Sequence, residues 1–286
     1  MEMKWIKTFV VAAKYENFRK TSEELFLTQP AITKHVKRLE EHLQTNLFDR
    51  VGKMVMLTAA GKQFLPYAKD LLVSYEEGLA NFESWKQGYS RKLILATAPQ
   101  IASSFLPDLL RKFMEVKPDI EVFINVKSSF EIGEEIVRGN ADIGLTRMEP
   151  LQKNLNSEVL HQEPVILVGP SSKQLSEAEA LANYRLITHN HPEYWDSLLL
   201  DVKRSFPAIQ TMVVNQMEVT KKFIESGLGV SYLPRSIVIE ETNQRKLMEI
   251  ETGIIIPPSS FTYVVTKVET TEAREFICFL KKHLPD

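Results

Sequence analysis

Apolar residues recur every three or four positions up to about residue 88, and short apolar runs alternate with amphipathic segments after that. The first regime predicts helices. Trp5, Ile6, Phe9, Val10 and Ala13 make one stripe along a helix over residues 4–16. Asn17 suits an N-cap for a second helix over residues 18–26, which would bury Phe18, Ser22 and Leu25. Leu27 and Thr28 would then form a two-residue link to a third helix, with Ile32, Val36, Leu39 and Leu43 on its inner face.

The third helix has an outer face of different chemistry. Thr28 can cap it, Pro30 fits a first turn where a missing N–H costs little, and Gln29, Thr33, Lys34 and Lys37 face outward. An amide, a hydroxyl and two ammonium groups at a helix N-terminus match base edges and phosphates in a major groove. The same pattern alone would also serve a solvated face. Three helices with a short link before the last predict a helix-turn-helix. The runs 47–51 and 54–57, with Gly52 and Lys53 between them, read as a two-stranded wing whose Lys53 can reach a phosphate or the minor groove.

Thr58 can cap a long helix that continues to Gly88 with Pro66 as its only internal proline. Within it Leu65, Ala68, Leu72, Tyr75, Leu79 and Phe82 step by threes and fours, a heptad seam suited to self-association. The alternative is a helix packed on its own domain.

From residue 91 the alternation of strands and helices predicts an α/β body. Strands are expected at 92–98, 120–127, 141–145, 165–168, 185–188, 212–214, 229–233 and 263–267. Helices are expected at 105–116, 130–138, 195–206, 219–225 and 271–283. Two lobes, about 91–162 with 263–286 and about 163–262, would be joined near Gln162 and Phe261 and leave a cleft. Ligands collect beyond the carboxyl ends of such strands. The cleft candidates are therefore Ala98, Pro99 and Gln100, then Ser128 and Ser129, then His189, Asn190 and His191. Helix N-termini at these places favour an anionic ligand. Ser128 and Ser129 could equally just cap their helix.

Composition narrows the classes. The chain of 286 residues suits two or three compact units, and its 44% hydrophobic content includes no run of membrane-spanning length. A signal peptide is not expected, because Glu2 precedes Lys4 and Lys7 and the segment is amphipathic. The single Cys278 excludes an internal disulfide framework, fits the cytoplasm, and is expected in the core of a terminal helix. Net charge is −2, but residues 1–58 carry ten Lys/Arg against seven Asp/Glu, hence +3, leaving −5 for the rest. Only a basic head would face phosphates, and two heads in a dimer would strengthen weak single contacts. A metal-dependent enzyme using His189 and His191 is the competing reading. His-x-His with no further His or Cys group at ligand spacing falls short of a catalytic zinc set, and no metal or cofactor is expected. Gly-rich phosphate loops and nucleophile elbows are absent, and Gly227-Leu228-Gly229 lacks the third glycine of a dinucleotide fingerprint.

Phe9-Val10, Asn17-Phe18, Leu25, the stretch from Thr28 to Thr33, Arg38-Leu39-Glu40, Leu47 to Arg50 and Leu57 to Gly61 together resemble the N-terminal domain of LysR-type transcriptional regulators. Thr21-Ser22 stands where that family usually has two alanines. The resemblance implies a winged helix-turn-helix at 1–58, a dimerising linker helix at 59–90 that pairs antiparallel, and an effector domain at 91–286 similar to type 2 periplasmic binding proteins. It further implies a regulator that is not an enzyme. Its partners would be a double-stranded operator with interrupted inverted repeats, a small organic acid, and other copies in a homodimer or homotetramer. In that frame Gln29, Pro30, Thr33 and Lys34 read bases, with Thr28 as the N-cap, while Lys37, Arg38 and Lys53 hold phosphates, Lys53 alternatively in the minor groove. Gln100 stands where many members carry a Thr that touches the effector, and Phe130 where the residue is often polar. The segments 17–21 and 188–195 more narrowly resemble the citrate synthase regulator branch, which implies control of a carboxylate-metabolism gene.

Overall fold

The computed structural model describes residues 1–51, 54–172 and 174–284. They form two compact units, Met1–Gly88 and Tyr89–Asp286.

The first unit contains α1 (Met3–Tyr15), α2 (Phe18–Glu24), α3 (Gln29–Leu43), β1 (Phe48–Val51), β2 (Met54–Leu57) and α4 (Ala59–Lys86). Ile6, Phe9 and Ala12 of α1 meet Phe18, Ile32, Val36, Leu39, Leu47, Phe48 and Val55 in one core. Phe48 anchors it, with Phe9 at 5.5 Å and Phe18 edge-on at 5.8 Å. The Asn17 side chain accepts from the N–H groups of Arg19 and Lys20, so the expected cap of α2 is in place. That helix stops two residues earlier than predicted, and the link to α3 is four residues long. Thr21 is buried where Ser22 was expected, and Leu25 is half-buried. Phe26 is in the left-handed region (φ 53°), Leu27 N–H donates back to Ser22 O, and Phe26 N–H donates to Glu23 O. This is a Schellman stop with a phenylalanine in the glycine position. Its side chain is 96% exposed.

β1 and β2 pair antiparallel, with Phe48 opposite Leu57. Thr58 caps α4 by accepting from Gly61 N–H, and donates its own hydroxyl to Asn46 O. Gly61 is required here because an added Cβ would lie 2.2 Å from Leu47 O. The first turns of α4 belong to the head. Ala68 is fully buried in the head core, with Phe64 and Leu65 against it. Two of the six seam positions, Leu65 and Ala68, are therefore internal contacts, because the helix packs across the head before it leaves it.

The second unit runs β3 (Arg91–Thr97), α5 (Pro99–Ala102), α6 (Leu106–Val116), β4 (Ile120–Val126), α7 (Ser129–Arg138), β5 (Ile143–Thr146) and β6 (Asn156–Pro170). It continues with α8 (Glu177–Asn183), β7 (Arg185–Thr188), α9 (Trp195–Ser205), β8 (Thr211–Val213), α10 (Met217–Glu225), β9 (Gly229–Pro234), α11 (Arg235–Asn243), β10 (Leu247–Ile250), β11 (Ser259–Thr266) and α12 (Thr271–His283). Strand order is β4-β3-β5-β11-β6-β9-β7-β8, with β10 also on β6. β3 pairs parallel with β4 and β5, and β7 pairs parallel with β8 and β9. The two groups are joined by long antiparallel β6 and β11. Gln162 and Phe261, the two expected crossings, are register partners.

Each lobe has its own core. Leu93, Leu95, Leu109, Phe113, Ile143 and Phe276 belong to one. Leu167, Leu186, Leu198, Val202 and Tyr232 fill one face of the other lobe's sheet, while Ile187, Ile224 and Val238 fill the opposite face. α8, α11 and β10 lie outside the elements expected from periodicity. α8 is held through tertiary contact: buried Glu177 accepts from the N–H groups of Gly253, Ile254 and Ile255. Cys278 is exposed on α12 rather than in the core, because the buried stripe of that helix is Ala273, Phe276, Ile277 and Leu280.

Candidate nucleic-acid interface and ligand cleft

In the head, α3 presents its inner face to the core and leaves the predicted outer face free. Gln29, Pro30, Lys34, Lys37 and Arg38 are exposed and Thr33 is half-exposed. Thr28 caps the helix by accepting from Ala31 N–H at 3.4 Å. Thr33 donates to Gln29 O, and Lys37 pairs loosely with Glu41 at 3.7 Å. Arg38 lies 5.8 Å from the Trp5 ring, a cation–π contact that ties it to α1. Lys53 lies outside the described residues. Glu40 accepts from the N–H groups of Leu47 and Phe48, so the strand after α3 starts from a fixed point on it. Sequence reasoning missed this brace, since nothing in residue spacing marks a carboxylate seven positions from its partner.

In the second unit, four strand ends meet at one place. Pro99 and Gln100 follow β3, Ser128, Ser129 and Phe130 follow β4, His189 to Pro192 follow β7, and Asn215 follows β8. These residues line a cavity of about 270 Å³. An adjoining cavity of about 170 Å³ shares Pro99, Gln100 and Asn215 and reaches Glu218. Seven of the eight predicted cleft residues therefore converge. Ala98 is the exception: it is buried, and its carbonyl accepts from the N–H groups of Ile101 and Ala102 at the start of α5. Phe130, singled out in the sequence as a departure from the family pattern, lines the cavity too; Pro192 and Asn215 are the additions, and the topology brings them there.

The polar groups are not equally free. Ser128 donates both its N–H and its hydroxyl to Glu131, so its side chain serves the helix cap. Ser129 Oγ accepts from Arg147 N–H, which leaves its hydroxyl proton for a ligand. Gln100 Nε2 donates to Asn190 O at 3.2 Å, across the cleft. Asn190 is locked from behind, with Nδ2 donating to Ser231 Oγ and Oδ1 accepting from Trp195 Nε1. His189 is in the left-handed region (φ 63°), with Nδ1 2.8 Å from Thr188 Oγ1.

Both ring nitrogens of His191 are occupied. Nδ1 accepts from Glu193 N–H, so Nε2 carries the proton and donates to Ser260 Oγ. Burial and the Arg147 guanidinium hold its pKa well below the ordinary histidine value. Neither nitrogen is available to a metal, and among the described residues no group of three or more His, Cys, Asp or Glu could hold one.

A helix-turn-helix with a polar outer helix face, joined in one chain to a two-lobed body with a polar cleft, defines a ligand-responsive transcriptional regulator. Residues 3–62 match the model of the bacterial regulatory helix-turn-helix protein, lysR family, and residues 86–285 match the LysR substrate binding domain. The chain belongs to the LysR family of DNA-binding transcriptional regulators, which are not enzymes. It is 41% identical to the HTH-type transcriptional regulator CitR of Bacillus subtilis (strain 168), over 98% of both chains. It is 36% identical to YxjO of the same organism, over 98% of this chain and 97% of that one. The fold matches the crystal structure of Vibrio fischeri DarR in complex with DNA, with TM-score 0.67 and 21% identity over 98% of both chains. Full-length CbnR complexed with its target DNA gives TM-score 0.65 and 20% identity over 99% of both.

Proposed function

We propose that Gln29, Pro30, Thr33 and Lys34 read base edges in the major groove, that Lys37, Arg38 and Lys53 hold the backbone, and that a small organic anion in the cleft modulates operator binding. The observation that carries the first part is the exposed face of α3, polar at its N-terminal end and fixed from behind by Ile32, Val36 and Leu39. Helix N-termini suit phosphate and base contacts, and the side chains needed for base readout are unengaged or nearly so. The cleft reading rests on the same physics. α7 begins at the cavity, which Ser128, Ser129 and Phe130 line, and no acidic residue is among its lining. The resemblance to CitR and to the citrate synthase regulator branch favours a carboxylate-metabolism gene as target.

The protein acts as a homodimer, paired through the exposed part of α4, and two dimers make the tetramer. Tyr75, Leu79 and Phe82 are 46%, 51% and 56% exposed there, an apolar stripe open to solvent in which Phe82 stacks on Trp85 of the same helix. No described helix is long and apolar enough to cross a membrane, and the cytoplasm is the compartment where operator DNA lies. Footprinting over genomic fragments, with and without di- and tricarboxylates, tests the whole reading. A protected inverted repeat whose occupancy shifts with one of these acids is the expected result; no protection under any condition overturns it.

A further inference from the structure

Leu47 is hydrogen-bonded on one side to the base-reading helix α3 and on the other to the linker helix α4. Its N–H donates to Glu40 of α3 at 2.7 Å, and its carbonyl accepts from the N–H of Thr58, the N-cap of α4, at 3.0 Å. The flanking residues repeat the pattern. Phe48 N–H donates to the same Glu40 oxygen, and Thr58 Oγ donates to Asn46 O at 2.8 Å. Gly61, in the first turn of α4, has no room for a side chain against Leu47 O, so the helix start lies directly on this peptide. The apolar core also links the two helices through Phe9, whose ring meets Phe64 at 5.5 Å and which shares a core with Ile32 and Val36. Apolar burial is non-directional, however, whereas hydrogen bonds fix an angle. Past the left-handed Gln44 that ends α3, the Glu40 carboxylate carries the orientation of the helix across to residues 47 and 48. We propose that Glu40 is a positioning residue: it holds α3 at one angle to α4 and so sets the distance between half-sites that a dimer accepts. The inference rests on pairing through α4 and supplies the rigidity in the head that spacing selectivity needs.

Operators of altered spacing test this. The full chain first selects its operator from a random duplex pool. Fluorescence anisotropy then compares that operator with copies whose half-sites lie one or two base pairs nearer or farther apart, and with a single half-site. Wild type should lose about tenfold or more in affinity when the spacing changes. In Glu40→Met, which keeps the length and removes the acceptor, that penalty should shrink to about threefold or less, with single-half-site affinity within about threefold of wild type. Glu40→Gln should behave as wild type, because its amide oxygen still accepts. A Met variant with the wild-type spacing preference overturns the inference. So does one that loses as much affinity for the single half-site as for the operator, since Glu40 would then serve α3 alone. If the Met variant fails to fold by circular dichroism, Glu40→Asp carries the test: the charge stays, the reach shortens by one methylene, and retention of the spacing preference overturns the inference. Loss of the preference in Glu40→Gln assigns the effect to charge and overturns it too, as does a dimeric wild type indifferent to spacing. A wild type that is monomeric in ultracentrifugation, or that selects no operator, overturns instead the underlying reading of α4 as the dimer helix of a sequence-specific regulator.

Discussion

Arg147 and Glu163 pair at 2.8 Å with side chains 0% and 4% exposed, at the point where β5 and β6 approach the crossing between lobes. Glu163 also accepts from Ser236 N–H at 2.7 Å and Ser236 Oγ–H at 2.8 Å, so one carboxylate fastens the start of α11 to the hinge. Arg147 Nη1 reaches Ser260 Oγ at 3.4 Å, and the same hydroxyl accepts from His191. Removing one partner leaves a desolvated charge. Glu163→Leu should cost about 3–5 kcal/mol in urea unfolding of the second unit, and Arg147→Met with Glu163→Leu should recover most of that. A double variant as unstable as the single one would show that hydrogen bonds to Ser236, not the stranded guanidinium, set the cost.

His191 makes stability depend on pH. Its folded-state pKa lies well below that of the unfolded chain, about 6.5, so between the two values the unfolded state binds the extra proton. Stability is therefore retained above about pH 6.5 and lost as pH falls below it. His35 and His161, also lowered chiefly by burial, act in the same direction. His191→Gln should remove one proton from the linkage, flattening the slope by up to about 1.4 kcal/mol per pH unit. Chemical denaturation at pH 5, 6 and 7 reads this out; identical slopes for both proteins would mean that His191 titrates normally.

Gln29 and Lys37 lie on the same exposed face but should fail differently. Gln29→Ala should lose about 1–3 kcal/mol of discrimination at one operator position with the salt dependence unchanged. Lys37→Ala should weaken binding to all sequences and reduce the salt slope by about one counterion. Uniform loss in the Gln29 variant would contradict base readout by that residue.

Leu79→Asp should yield monomers in analytical ultracentrifugation and weaken operator binding, without lowering the stability of the head, since the side chain is already half-exposed in the single chain. Persistence of the dimer would place the interface elsewhere. Ala68→Asp should instead unfold the head, because that position is fully buried in its core.

Phe26 carries the left-handed conformation at a position where Gly or Asn is unstrained, and its ring gains little from burial. Phe26→Asn should stabilise the head by about 0.5–1 kcal/mol, read as a higher melting temperature. A lower one would show that the ring packs in a way its exposure hides.

Much of this molecule was legible in residue order because the deciding interactions are local. The inner stripe of α3, the caps at Asn17, Thr28 and Thr58, the strand at Arg185–Thr188 and the helix at Thr271–His283 depend on neighbours one to four positions away. The cleft was legible for a related reason: ligands gather where parallel strands end, so Gln100, Ser129 and Asn190 could be placed before their partners were known. Only the tertiary structure could reassign Leu65 and Ala68 from the seam to the head core, expose Cys278, or leave Phe26 on the surface. It alone shows that Gln100 reaches Asn190, ninety positions away, and that Glu163 holds both Arg147 and Ser236. Periodicity states that a face will be buried, but not against what; that is decided when distant segments compete for the same space and the same hydrogen-bond donors.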